Sequence, residues 1–153
     1  MLSKIKAYTS LLNNTQCRVV CSRGVVETTS QSRRMCFQIQ RDTELWYSVE
    51  YSSFSVGSEA DKYRLSVSGF SGDTGDALAA PVRSLRIANG MQFSTPDQDN
   101  DYNSGRCDDG TNGWWYRNCA RSTLNRDVNA VWNSETDAYI FDVISSRMLV
   151  QLD

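Results

Sequence analysis

From Ala88 to Asn129 the sequence holds neither a helical nor a strand period, and Gly, Asn and Asp dominate it. Irregular connections above about 12–15 residues are uncommon inside a compact domain, and those that occur are usually functional or stapled. Two dense clusters lie inside this stretch. Asp97, Asp99 and Asp101 place carboxylates at alternate positions, and Cys107 and Cys119 bracket Trp114, Trp115 and Tyr116. Residue chemistry alone leaves three readings open: an active site, a metal-stapled binding loop, or a stapled piece of fold.

The rest of the chain narrows the setting. Its 153 residues, 40% hydrophobic and 22% charged, suit one domain with one core. No run of about 18 apolar residues exists, so no membrane insertion is expected. A net charge of −2 offers no basic face for nucleic acid. There is no histidine, which excludes a Ser-His-Asp triad, a Cys-His pair and His-ligated zinc. Acid–base work would fall to Asp, Glu, Lys, Tyr or Cys.

Cysteines at 17, 21, 36, 107 and 119 are odd in number, so at least one is free or pairs outside the chain. Their spacing fits a zinc site poorly. A local Cys107–Cys119 disulfide fits better; closing a loop of that length is worth roughly 3 kcal/mol and requires an oxidising compartment. Cys17 or Cys21 could reach Cys36 to form a second bridge. At the N-terminus, Tyr8, Thr9 and Ser10 interrupt the apolar residues, unlike a secretory leader. Either the protein stays inside the cell or the chain is a fragment of a longer secreted one. Asn13-Asn14-Thr15 fits a glycosylation sequon.

Lys4 to Leu12 reads as two helical turns, and Thr28 to Arg34 as a loop. From Met35 the pattern becomes β. Leu45, Tyr47, Val49 and Tyr51 alternate with Trp46, Ser48 and Glu50, the period of a half-buried strand. Ser58 to Asp61 resembles a helix start with room for about one turn, because Tyr63 to Ser68 alternates again, with Leu65 and Val67 toward the core. Gly69, Gly72 and Gly75 read as a loop. Met148, Val150 and Leu152 return to β.

Alternate acids in a loop can wrap a hard cation, and calcium takes six to eight oxygens. Asn103 and Gly105 continue the parity of Asp99 and Asp101 and could add carbonyls. An EF-hand is excluded by Tyr102, where that loop needs Gly, and by Pro96 nearby. A solvated acidic turn and a catalytic carboxylate pair remain the alternatives. One of the adjacent tryptophans is expected in the core and the other at a surface, although both could simply anchor the loop.

The segments EYSSFSVGSEADKYRLSVSGFSGDTGDAL, NGMQFSTPDQDND and CDDGTNGWWYRNCARSTLN resemble the fibrinogen C-terminal domain, shared by ficolins, tachylectins, tenascins and angiopoietins. The resemblance runs from about Met35 to Val150. It implies an α+β fold: a mainly antiparallel sheet, short helices and a loop-rich calcium-binding lobe. It implies a Cys107–Cys119 disulfide and calcium held by Asp99, Asp101 and the carbonyls of Asn103 and Gly105, with Asp97 just outside. The peptide before the second cysteine, here Asn118–Cys119, is often cis in the family. The family binds rather than catalyses: acetylated sugars, peptide knobs or receptors. Asp109, Tyr116, Asn118 and Ala120 are then the candidate ligand-binding residues.

Departures from the family shape the expected function. Ala120 stands where sugar- and knob-binding members often carry His. After Leu124-Asn125 the chain runs through Arg126 to Asn129 straight to Val131-Trp132, so the pocket stretch is shortened, and Glu135 replaces a common Trp. Residues 1–34 show no first subdomain and read as a divergent or poorly ordered segment before a domain at 35–153. The expected protein is a secreted, calcium-stabilised recognition module, lectin-like, of the kind used in innate immunity or cell adhesion. It binds a glycan or protein and not N-acetylated sugars; oligomers would form through regions outside this chain. The alternative is a structural or matrix module without a small-ligand pocket. A calcium-dependent hydrolase is nearly excluded.

Overall fold

The computed structural model describes residues 32–41, 44–79, 85–108, 110, 112–126, 130–133 and 141–150. The expectations for residues 1–30, Cys17, Cys21, Asp109, Glu135 and Leu152 lie outside them. Among the described residues no helix is long and apolar enough to cross a membrane.

Six strands form one antiparallel sheet: β1 (Arg33–Arg41), β2 (Trp46–Val56), β3 (Leu65–Gly72), β4 (Ser122–Thr123), β5 (Ala130–Trp132) and β6 (Phe141–Val150). Their spatial order is β3-β2-β1-β6-β5-β4. Strands β1, β2 and β3 form a meander on one side of the sheet; β6, β5 and β4 fill the other. The irregular stretch leaves after β3 and returns at β4. Short helices were expected, but the described residues hold only one 3-10 turn, Glu59–Asp61, and Ser58 does not cap it through its side chain.

Met35 through Ile39 on β1 are all buried, the mark of a central strand covered on both faces. Cys36 is fully buried there and disulfide-bonded, with its partner outside the described residues. On β2 the expected alternation holds at Val49 and Tyr51, both 0% exposed, but Leu45 precedes the strand and lies in solvent. Beyond Tyr51 the alternation slips by one, so that Phe54 and Val56 also face the core. The cause is a bulge: Met35 pairs with Tyr51 but Arg33 with Phe54, leaving one extra residue on β2.

β3 follows the slip through Gly69, which was read as loop. Its φ of +68° is open to glycine at little steric cost, and an added Cβ would run into the Ser52 hydroxyl. The strand therefore continues to Gly72 because the long β2 gives it a partner that far. A second slip lies between Gln40 and Arg41 against β6; it leaves Ile144 outside the ladder, and Ile144 is exposed.

One core fills the space between the sheet and the irregular lobe. Phe37 packs edge-on to Tyr51 and Phe54 and tilted against Trp132. The Tyr51 hydroxyl donates to Asp76 at 2.5 Å, and the same carboxylate oxygen accepts the N–H groups of Leu78 and Ala79. Burial first, and then the Asp76 charge, push the Tyr51 phenol far above its ordinary range. Replacing Gly69 with Ala is expected to lower stability by about 1–3 kcal/mol in urea unfolding; an unchanged midpoint would contradict the close approach to Ser52.

Candidate functional site: the acidic loop and its anchor

The lobe reaches the sheet in steps that the sequence dictates. Ala88 to Met91 run beside β3: the Leu65 N–H donates to the Met91 carbonyl and the Gly90 N–H to the Leu65 carbonyl. Next, Phe93 N–H donates to the Lys62 carbonyl, and Ser94 exchanges both backbone bonds with Trp114 at 2.9 and 3.1 Å. That bridge ties the start of the acidic loop to the Gly113-Trp114-Trp115-Tyr116 segment.

Neither tryptophan lines a surface. Trp114, Trp115 and Tyr116 are each 1% exposed. The expectation of one inward and one outward tryptophan fails because this segment is not a regular strand; it makes only the single bridge at Trp114. Trp115 stacks edge-on with Phe93, Phe54 and Trp114 and donates its indole N–H to the Tyr63 carbonyl at 2.8 Å. Gly113 is needed because a Cβ would sit 2.5 Å from the Phe93 ring.

The acidic loop is organised by its own side chains. Asp99 Oδ1 accepts the Asp101 N–H at 3.0 Å, and Asp101 Oδ1 accepts the Asn103 N–H at 2.8 Å, two successive Asx turns. The other oxygen of Asp101 accepts the Cys107 N–H at 3.0 Å. Asn100 spans the loop's base: its Nδ2 donates to the Phe93 carbonyl and its Oδ1 accepts from Lys62 Nζ. Asp97 is exposed. A bond from Thr95, and then its own N–H, hold its carboxyl below the usual carboxylate range. Arg106 clamps the loop's end, bonding the buried Asp108 carboxylate at 2.9 Å and the Thr95 and Pro96 carbonyls.

Cys107 and Cys119 are disulfide-bonded with Cα atoms 4.8 Å apart, inside the roughly 4.4–6.8 Å disulfide range. The Cys119 N–H donates to the Cys107 sulfur, and Asn103 Nδ2 approaches both sulfurs. The expected cis peptide is absent: no described peptide bond is cis, and the chain turns instead through a left-handed Cys119 with φ +57°. A left-handed non-glycine residue costs about 1–3 kcal/mol, less than the roughly 3–4 of a non-proline cis bond.

The four oxygen donors expected for calcium, from Asp99, Asp101, Asn103 and Gly105, all belong to this loop. Asp99 keeps one carboxylate oxygen out of the loop's hydrogen bonds, and the carbonyls of Asn103 and Gly105 accept none from the described residues. Among the described residues no cationic side chain neutralises Asp99 or Asp101; Arg106 is turned to Asp108. Among the described residues no three acidic or cysteine side chains converge as a metal cluster, so any ion here would draw on two carboxylates and main-chain oxygens. These are hard donors of the kind calcium takes.

Of the candidate ligand residues, Tyr116, Asn118 and Ala120 are described, and they differ in exposure. Tyr116 lies in the core cluster and presents almost no area to a ligand. Asn118 is exposed and its N–H donates to the Leu85 carbonyl. Ala120 is half-buried against the core. Sequence reasoning missed Asn100, Arg106 and Asp108. Only the adjacency of Arg106 and Asp108 to Cys107 hinted at the clamp.

Sheet, stapled lobe and acidic loop together define a class of domain. The sequence model of the C-terminal globular domain of fibrinogen beta and gamma chains matches residues 23–141, and the chain belongs to that family. The match begins ahead of the 34–35 boundary expected from the sequence. The chain is 46% identical over 77 residues to ryncolin-4 of Cerberus rynchops, covering 49% of this chain and 20% of that protein. It is 44% identical over 87 residues to the human fibrinogen gamma chain, covering 50% and 19%. The fibrinogen-like globe domain of human ANGPTL6 superposes with a TM-score of 0.66 at 26% identity, over 82% of this chain and 60% of that one. The matched stretch thus spans about a fifth of the curated relatives' lengths.

Replacing both Cys107 and Cys119 with Ser is expected to lower unfolding free energy by roughly 3 kcal/mol, measured by guanidinium denaturation. An undiminished midpoint would show that the tryptophans alone hold the lobe.

Proposed function

We propose that this chain is a non-enzymatic, extracellular recognition module whose acidic loop is completed by calcium and which binds a protein or glycan partner through the stapled lobe. The observation that carries the reading is the donor set at Asp99, Asp101, Asn103 and Gly105, left partly open on a loop anchored through Ser94, Asn100, Arg106 and the disulfide. Bound calcium would supply charge neutralisation to two carboxylates and fix the loop's outward surface. The chain's own residues do the rest. Trp114 and Trp115 hold the loop's base to the core, the disulfide fixes its far end, and Asn100 sets its height against Lys62. Membership of the fibrinogen family supports binding over catalysis, and the disulfides support an oxidising, extracellular setting.

A specific observation also favours the second reading, a structural interaction module with no small-ligand pocket. Tyr116 is buried and Ala120 is only a methyl group where the pocket would lie. The two readings share the calcium site and differ in what binds beside it.

Thermal melting in calcium and in EDTA tests the ion. Binding to the folded state alone raises stability by about 2.7 kcal/mol at a hundredfold excess over Kd. An unchanged Tm removes the site. The Asp99→Ala variant should abolish the calcium-dependent shift and cost only about 0.5–1.5 kcal/mol in EDTA, through loss of the exposed Asp101 N–H bond. Asp101→Ala should lose the shift and also about 1–3 kcal/mol in EDTA, because it leaves the Asn103 and Cys107 N–H groups without their acceptor. Titration with N-acetylglucosamine is expected to show no binding, and calcium-dependent sugar binding would overturn the pocketless reading.

A further inference from the structure

The outer edge of the sheet at β3 is half closed, and at Val67 the closure depends on one side chain. Asn89 Oδ1 accepts the Val67 N–H at 3.0 Å, and Asn89 Nδ2 donates to the Val67 carbonyl at 3.1 Å. This reproduces the paired bonds that a neighbouring strand would make. Two residues away, the bonds of Leu65 to Gly90 and Met91 close the same edge with main chain. Further along, the Asp73 N–H donates inward to Ser48. Alternation counted back from Asp73 turns the backbone of Phe70 outward, where no described residue meets it. Phe70 is also 37% exposed.

We infer that Asn89 acts as a strand surrogate that seals the β3 edge against pairing with a second copy of this chain. An unpaired edge is a template for another strand. Without the Asn89 bonds the open edge would extend from Phe70 back through Val67, interrupted only by the left-handed Gly69, and would offer its main chain to the same edge of another molecule.

The test uses the whole chain, with hydrogen exchange read at single amides and self-association read by sedimentation velocity. In the wild type the Val67 amide should be protected as well as that of Leu65 and better than that of Phe70. A Val67 amide exchanging as fast as Phe70 overturns the seal, whatever becomes of the variants. In Asn89→Ala, Val67 exchange should speed up about tenfold and dimers should appear with rising concentration. In Asn89→Asp the carboxylate opposes the Val67 carbonyl at neutral pH; acidification toward about pH 4 restores a donor and should restore Val67 protection relative to wild type at the same pH. Loss of protection with the Ala variant still monomeric would overturn the proposed role against self-pairing.

Discussion

Everything in the lobe depends on the burial of two adjacent indoles. Trp114 and Trp115 are, with Trp132, the largest fully buried side chains in the described structure, and they lie in a segment with almost no regular hydrogen bonding. Truncating a buried aromatic of this size typically costs about 3–5 kcal/mol, more than any single hydrogen bond contributes and at least as much as the roughly 3 kcal/mol of the disulfide. The backbone bridge between Trp114 and Ser94 then passes that anchorage to the acidic loop.

With its base held, the loop solves its backbone problem locally. A chain with no helix or strand must still pair its buried N–H and C=O groups. Here short polar side chains substitute for a strand: Asp99 and Asp101 in successive turns, Asn100 across the base and Asn89 along β3. The abundance of Asn, Asp and Gly from Ala88 to Asn129 is therefore structural as well as chemical. It lets carbonyls such as those of Asn103 and Gly105 stay outside the hydrogen-bond network, which is what a cation-binding loop needs.

Much of this was legible in the sequence. The alternation of Tyr47, Val49 and Tyr51 marked β2, that of Leu65 and Val67 marked β3, and the Gly-Trp-Trp-Tyr segment between cysteines marked the family and the disulfide. What failed did so for tertiary reasons. Gly69 to Gly72 read as loop because glycine argues against a strand locally, yet β2 supplies a partner and the bulge requires a left-handed residue there. The two tryptophans were divided between core and surface by strand logic that an irregular segment does not obey. The Arg106–Asp108 clamp had no periodic signal, since it depends on where the chain folds back. The turn at Cys119 is left-handed rather than cis, a choice between two backbone solutions that residue types do not reveal.

The central claim is that the lobe and the sheet are one cooperative unit joined through the tryptophans. Native-state hydrogen exchange in calcium tests it at the Ser94 and Trp114 amides, which bond only to each other across the lobe. The account predicts that both exchange through global unfolding, with the same opening free energy and denaturant dependence as Phe37 and Ile39 on β1. Exchange at Ser94 and Trp114 through a smaller opening, while β1 stays protected, would mean that the lobe detaches on its own and would contradict it.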